Sequence, residues 1–245
     1  MQFGMGWDAK APDNGPVDVK ATIGEIRRHK PDIVLLQEVE HAQFGGVQVQ
    51  PAPNYTQIKA ALPEFDSWFS YPKADPRELP FGIGLAIFSR TPLLEKLRID
   101  VPSPAIEFVF RGRKTTPTDR VMIGAKTTVG GREIQVYNVH LLAFFMLGIS
   151  STMYPWQRDL VADRLAASDS PTILGGDFNV SQGDPLVEQF AELRTARQVG
   201  RYSPAQSGAS AHNQLATARS IEDGADDRLD RLEHRSWVVR SMCAA

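Results

Sequence analysis

Cysteine is almost missing from this chain of 245 residues: Cys243 stands alone, which rules out an internal disulfide and says little about compartment. Long apolar runs are missing too. None approaches the roughly 18 uninterrupted apolar residues of a membrane span, and the longest, around 141–149, is too short to cross a bilayer. An excess of one charge is also absent, with 27 basic residues against 29 acidic and a net charge of −2. That balance gives no global footprint for nucleic acid and no polybasic membrane signal, although it leaves room for a local basic groove. The first residues, Met1-Gln-Phe-Gly-Met-Gly-Trp7, hold no charged segment ahead of an apolar core, so no signal peptide is read there and no location is assigned. Internal repeats and long linkers are likewise lacking. What remains is an ordinary soluble composition, 42% hydrophobic and 23% charged, able to bury a core.

Taken in order, residues 1–16 are rich in Gly, Pro and Asp and read as loop. Val19, Ile23 and Ile26 recur at helical spacing, with Arg27, Arg28 and Lys30 in the last turn and Pro31 as the stop. Asp32-Ile-Val-Leu-Leu36 is short and apolar enough for a buried strand, and it ends in Gln37-Glu38. Residues 41–80 read as irregular, with one or two helical turns at 58–62. Residues 84–90 give the next strand, 93–101 an edge strand, and 111–117 a basic loop. Gly130-Gly131 between 121–129 and 132–140 is the sequence of a two-residue hairpin. Residues 155–167 form an amphipathic helix with Trp156, Leu160, Val161 and Leu165 on one face. A helix starts at Asp184-Pro185, 200–228 looks weakly ordered, and Trp237-Val-Val239 makes a last strand. Helices placed between strands, with one hairpin, predict two sheets with helices outside them.

The segment Thr172-Ile-Leu-Gly-Gly-Asp-Phe-Asn179 is an apolar strand closed by two glycines and two short polar side chains. Alone it reads equally as turn punctuation or as a site displayed at a strand end. Two other strands end in matching fashion, one in Glu38, the other in Asn138 and His140. Carboxylate, imidazole and amide together suit hydrolysis of a phosphate ester: oxygen donors hold a hard cation such as Mg²⁺, and a histidine donates a proton or hydrogen bond to the phosphate. The bland alternatives are a solvated carboxylate at Glu38 and a core histidine at His140, with Asn138 read as structural. The run at 141–149 reads as core, with a lipid- or partner-facing loop as the minor alternative. Arg111, Arg113 and Lys114 read as a solvated face, or else as a phosphate-recognition loop.

Gln37-Glu38 after an apolar strand, Gly84 through Phe88-Ser-Arg-Thr-Pro92, Tyr137-Asn-Val-His-Leu141 and Gly176-Asp-Phe-Asn179 occur in that order. The set resembles the endonuclease/exonuclease/phosphatase superfamily, metal-dependent phosphoesterases related to deoxyribonuclease I, from about residue 3 to about residue 239. The resemblance implies a four-layer α/β sandwich: two packed mixed or antiparallel sheets with helices on the outer faces, as one domain over 1–245. It also implies that Glu38 binds Mg²⁺ or Mn²⁺ and that His140 contacts the scissile phosphate. Asp177 would orient or deprotonate the attacking water and be a second metal ligand, Asn179 would hold the phosphate, and Asp230 would orient a histidine base. The expected partner is a phosphoester substrate (nucleic acid, phospholipid or a small phosphodiester), with no integral membrane segment and a monomeric chain.

Two parts of the family pattern are not found. No Asn precedes Asn14, where the family's first strand carries a metal-binding one, and no Asp-His pair occurs anywhere, where the family closes on Ser-Asp-His. His234 and His212 are poor replacements. The expectation is therefore a chain that begins past the first position and ends before the second. Two functions stay open: a phosphoesterase, or an inactive relative that binds metal or phosphate.

Overall fold

The structure, a computed structural model, describes residues 2–4, 19–79, 81–179 and 236–241, the first and last of these spans as backbone alone. Two sheets face each other. One runs in the order β1 (Gln2–Gly4), β2 (Ile33–His41), β4 (Gly82–Ser89), β3 (Asp66–Ser70). The other runs β11 (Ser236–Ser241), β10 (Thr172–Asp177), β9 (Arg132–His140), β8 (Arg120–Val129), β5 (Leu94–Val101). A small hairpin, β6 (Phe108–Phe110) with β7 (Arg113–Thr115), stands apart from both. Each sheet is mixed: β1 lies parallel to β2 and β10 parallel to β9, while the remaining pairs of β2, β3, β4, β5, β8 and β9 are antiparallel.

The strands are apolar because both of their faces are covered. Leu35, Leu85 and Ile87 of the first sheet meet Ile123, Ala125 and Val136 of the second between the layers. Their neighbours in sequence point the other way, as the two-residue strand period requires. Val34, Leu36 and Phe88 pack under Ile23 and Ile26 of α1 (Val19–His29) and Ile58 of α2 (Pro53–Ala61). Tyr137, Val139 and Leu174 pack under Val161 and Leu165 of α3 (Trp156–Ala166). The result is the expected four-layer sandwich, helix–sheet–sheet–helix. The Gly130-Gly131 hairpin forms as read, both glycines at positive φ (56° and 77°), the backbone that a two-residue turn of this kind requires.

Several expectations change. Residues 2–4 are a strand beside β2 rather than loop. The region 41–80 contains a full helix, α2, and an edge strand, β3. The basic loop at 111–117 is in part the β6–β7 hairpin, turning at Arg111-Gly112. Trp156 is partly exposed instead of facing the core with Val161 and Leu165. The helix expected from Asp184, the segment 200–228, and Asp230, His212, His234 and Asn14 lie outside the described residues. No helix among those described is long and apolar enough to cross a membrane.

Candidate active site

The two sheets are tied together just inside one end of the sandwich. Gln37 on β2 donates through Nε2 to Oδ1 of Asn138 on β9, at 2.6 Å. Asn138 Nδ2 in turn donates to the carbonyls of Leu36 (2.9 Å) and Ala86 (3.0 Å), a cross-strand pair of the opposite sheet. Both side chains are wholly buried, and each bond satisfies a polar group that would be costly to leave unmet. The contact brings the C-terminal ends of β2 and β9 to the same end of the molecule. One residue past Gln37 lies Glu38, and two past Asn138 lies His140.

Glu38 was expected at a strand end. Instead β2 continues to His41, and the register against β4 shifts between Gln37 and Glu40. Glu38 sits in that bulge at φ 55°. Such a backbone is uncommon for a residue other than Gly, Asn or Asp, and bulges commonly re-aim a side chain next to a site. Gly82, opposite, leaves the room for it: a Cβ there would lie 2.5 Å from Glu38 Cβ and 3.0 Å from its Oε2.

In the other sheet, the parallel register sets Asp177 directly beside His140, and Asp177 Oδ2 is 3.9 Å from His140 Nε2. That is an electrostatic contact, too long for a direct hydrogen bond. Asp177 Oδ1 accepts from the backbone N–H of Asn179 at 2.9 Å, closing an Asx turn. Asn179, at φ 52°, turns back so that its Nδ2 donates to the Leu141 carbonyl at 2.7 Å. One of its two amide hydrogens is thereby used, and the other has no acceptor among the described residues. Turn punctuation and display of polar groups, alternatives in the sequence, are here one arrangement. The close packing of β10 on β9 needs Gly176, where a Cβ would fall 2.1 Å from the Val139 carbonyl oxygen.

His140 is mostly buried, and that burial pushes its imidazole well below the ordinary histidine value of 6.5; the Asp177 carboxylate pulls upward and the Arg120 guanidinium pushes further down. The ring is therefore neutral at physiological pH. Glu40, next along β2, is held above the ordinary carboxyl value by burial, partly offset by the N–H of Tyr55 in the first turn of α2, which it accepts at 2.9 Å.

Arg120 was missed from the sequence. It opens β8, next to Val121, which pairs with His140, and its Nε is buried with no hydrogen-bond partner among the described residues. Counting back from the Gly130-Gly131 turn would have placed it there. Among the described residues no three His, Cys, Asp or Glu side chains gather to enclose a metal. The oxygen donors in hand, Glu38 over its Gly82 cradle and Asp177, suit a cation that takes one or two carboxylates and completes its shell with water and substrate, as Mg²⁺ does.

A sandwich of this layering, with its polar groups gathered at the strand ends of both sheets, defines the deoxyribonuclease I-like class of fold. The chain belongs to the endonuclease/exonuclease/phosphatase family, whose pattern matches residues 5–232 and whose members are phosphoesterases. Nocturnin of Drosophila melanogaster is 28% identical to it over 167 residues, 67% of this chain and 24% of that protein. The chain thus spans about a quarter of the length of that curated relative. A solved endonuclease/exonuclease/phosphatase from Bacteroides vulgatus superposes with a TM-score of 0.55 at 18% identity, covering 78% of this chain and 69% of that one. Another, from Beutenbergia cavernae, gives 0.53 at 23% identity, covering 78% and 53%. At these identities the structural likeness speaks for the fold alone.

Proposed function

We propose that this chain is a divalent-cation-dependent phosphoester hydrolase in which water attacks phosphorus. The observation that carries the reading is the Asp177–His140 pairing at the sheet end, with Asn179 folded back beside it and Arg120 adjacent. Glu38, with Asp177 as a second donor, would hold Mg²⁺ or Mn²⁺, which supplies polarisation of a phosphoryl oxygen when bound. His140 is neutral and so presents an N–H to a phosphate oxygen, a hydrogen bond that strengthens as negative charge develops there. The Asp177 carboxylate, held in place by the Asn179 backbone N–H on Oδ1, would orient a water and accept its proton. The second amide hydrogen of Asn179 serves as a further donor to phosphate. The Arg120 guanidinium adds a fixed positive charge that favours an anionic substrate and adds to the burial that keeps His140 unprotonated. Asp230 is assigned to the same machinery by the family resemblance.

The test is release of nitrophenol from bis(p-nitrophenyl) phosphate, with Mg²⁺ or Mn²⁺ against a chelator, followed by a panel of nucleic acid, phospholipid and small phosphodiesters. Asp177→Ala and His140→Ala are each expected to lower kcat at least about a hundredfold, the usual worth of a proton-transfer or oxyanion-stabilising group. Activity that survives Asp177→Ala overturns the assignment. A chain that binds phosphate or the cation yet turns over nothing on the panel is a binding module instead.

A further inference from the structure

The exposed apolar side chains of this molecule are not scattered. Among the described residues eight large hydrophobic side chains are exposed, and seven of them lie at the end that carries Glu38, His140 and Asp177: five on the connectors after β2 and β9, Val109 in the β6–β7 hairpin and Trp156 at the start of α3. The exception, Leu94, opens β5 at the far end. Phe44, 91% exposed, caps the tight turn closed by Gln43 and Val47, directly after β2. Phe145 and Met146, about half exposed, and Met153, at 64%, follow β9. Val109 projects from the β6–β7 hairpin, whose stem packs Phe110 edge-on against Phe81, next to Gly82 and hence Glu38.

The charge pattern says what these tips meet. Residues 42–52 and 141–155, the connectors after β2 and β9, contain no Asp, Glu, Lys, Arg or His, in a chain that is 23% charged. They present apolar tips and no ion that would have to leave water. The second connector is largely satisfied within its own backbone, and the first is so at its tight turn. Gly46 and Gln43 donate within the first loop, and Met146, Gly148, Ile149, Met153 and Tyr154 donate within two short 3-10 turns of the second. A segment entering a lipid interface needs both properties, because neither bare N–H groups nor charges find partners there. Between these loops the β6–β7 turn carries Arg111, Arg113 and Lys114, exposed, opposed by Glu107 beside Lys114 at 3.5 Å and by Asp119 at the hairpin's base, which accepts from the Ser103 N–H. Separate apolar prongs with a cationic turn among them match an anionic bilayer surface. Single-stranded nucleic acid calls for cations along the whole track, which the two uncharged loops do not provide. A protein partner calls for a continuous complementary patch.

We infer that the site-bearing end of this chain docks on anionic phospholipid membranes, its uncharged loops entering the interface and the hairpin cations facing the headgroups. The inference concerns adsorption and does not depend on turnover. The test is cosedimentation of the full chain with vesicles of phosphatidylcholine alone and of phosphatidylcholine with equimolar phosphatidylserine. Binding to the mixed vesicles is expected to exceed binding to phosphatidylcholine by at least about tenfold, and to fall with salt. The Phe145→Ser/Met146→Ser double variant, with both side chains already half in solvent, is expected to lose at least about tenfold in partitioning while keeping its circular dichroism. Should that variant misfold, quenching of tryptophan fluorescence by brominated phosphatidylcholine, expected in the unaltered chain and lost in Trp156→Phe, reads the same end through Trp156, 41% exposed there. A chain that stays in the supernatant with both vesicles overturns the inference. So does unchanged vesicle binding by the double variant, binding to an oligonucleotide in place of vesicles, or a dimer that the double variant disperses. Because sedimentation reads no catalysis, its failure leaves the phosphoesterase reading standing, and an inactive chain leaves docking standing.

Discussion

Asn138 holds the site without belonging to it. Its amide spends every near atom on the opposite sheet: Oδ1 on Gln37, Nδ2 on the carbonyls of Leu36 and Ala86. Replacing it by Ala removes one hydrogen bond from the buried Gln37 amide and one from each of two backbone carbonyls, and opens a small void as well. A cost of about 2–4 kcal/mol is expected by urea denaturation, from the buried hydrogen bonds lost plus the void. Activity should fall too, through looser placement of Glu38 against His140, and added Mg²⁺ or Mn²⁺ should restore part of it. If Asn138→Ala unfolds at the wild-type urea concentration, the amide is not the tie described here. The sequence showed Asn138 as structural and left Gln37 without a role, because the bond joins residues 101 positions apart in different sheets.

At the scale of elements, the site is a property of how β10 lies on β9. Gly176 permits that approach, and the pairing of Asp177 with His140 follows from the register one residue later. Gly176→Ala drives a methyl into the Val139 carbonyl, so either the strands separate or β10 rotates. An expected loss of about 1–3 kcal/mol should come with a drop in kcat at little change in the fold's circular dichroism. A fully active Gly176→Ala would mean that the register is not what aims Asp177. Gly82→Ala makes the parallel case on β4, where the added methyl meets Glu38: the apparent affinity for the activating cation should weaken more than kcat falls. What was legible here followed from burial. β2, β4, β8, β9 and β10 announce themselves because both their faces are covered and their sequences run apolar, and the Gly-Gly pair announces its hairpin. β1, β3 and β6–β7 did not, being edge strands or strands of three to five residues, too short to show a period. The bulge at Glu38 was illegible for a different reason: it exists only against β4, and no local residue, glycine least of all, marks the positive φ.

Across the whole molecule, the two sheets are clasped at both ends, and the end far from the site depends on a carboxylate. Asp66 on β3 accepts from the Leu93 N–H across the gap at 2.7 Å and from Ser67 N–H beside it, with Lys96 of the second sheet at 3.3 Å. Ser89 and Thr127 join the sheets nearby through their hydroxyls at 3.0 Å. Partial burial alone would raise the Asp66 pKa, but the Leu93 and Ser67 amides and Lys96 outweigh it and hold the carboxyl below its ordinary 3.8. The sign follows from proton counting. The unfolded chain binds a proton at this group before the folded chain does, so the clasp stabilises the fold above pH 3.8 and fades as the pH falls below it. Asp66→Asn keeps one acceptor and loses the charge; it should therefore be less stable than wild type at pH 7. Toward pH 3 the two proteins should converge, since the wild-type carboxyl is then becoming neutral as well. Urea midpoints for both chains across that range decide it: a gap that persists undiminished at pH 3 would mean the loss comes from packing, and that the far clasp is not electrostatic.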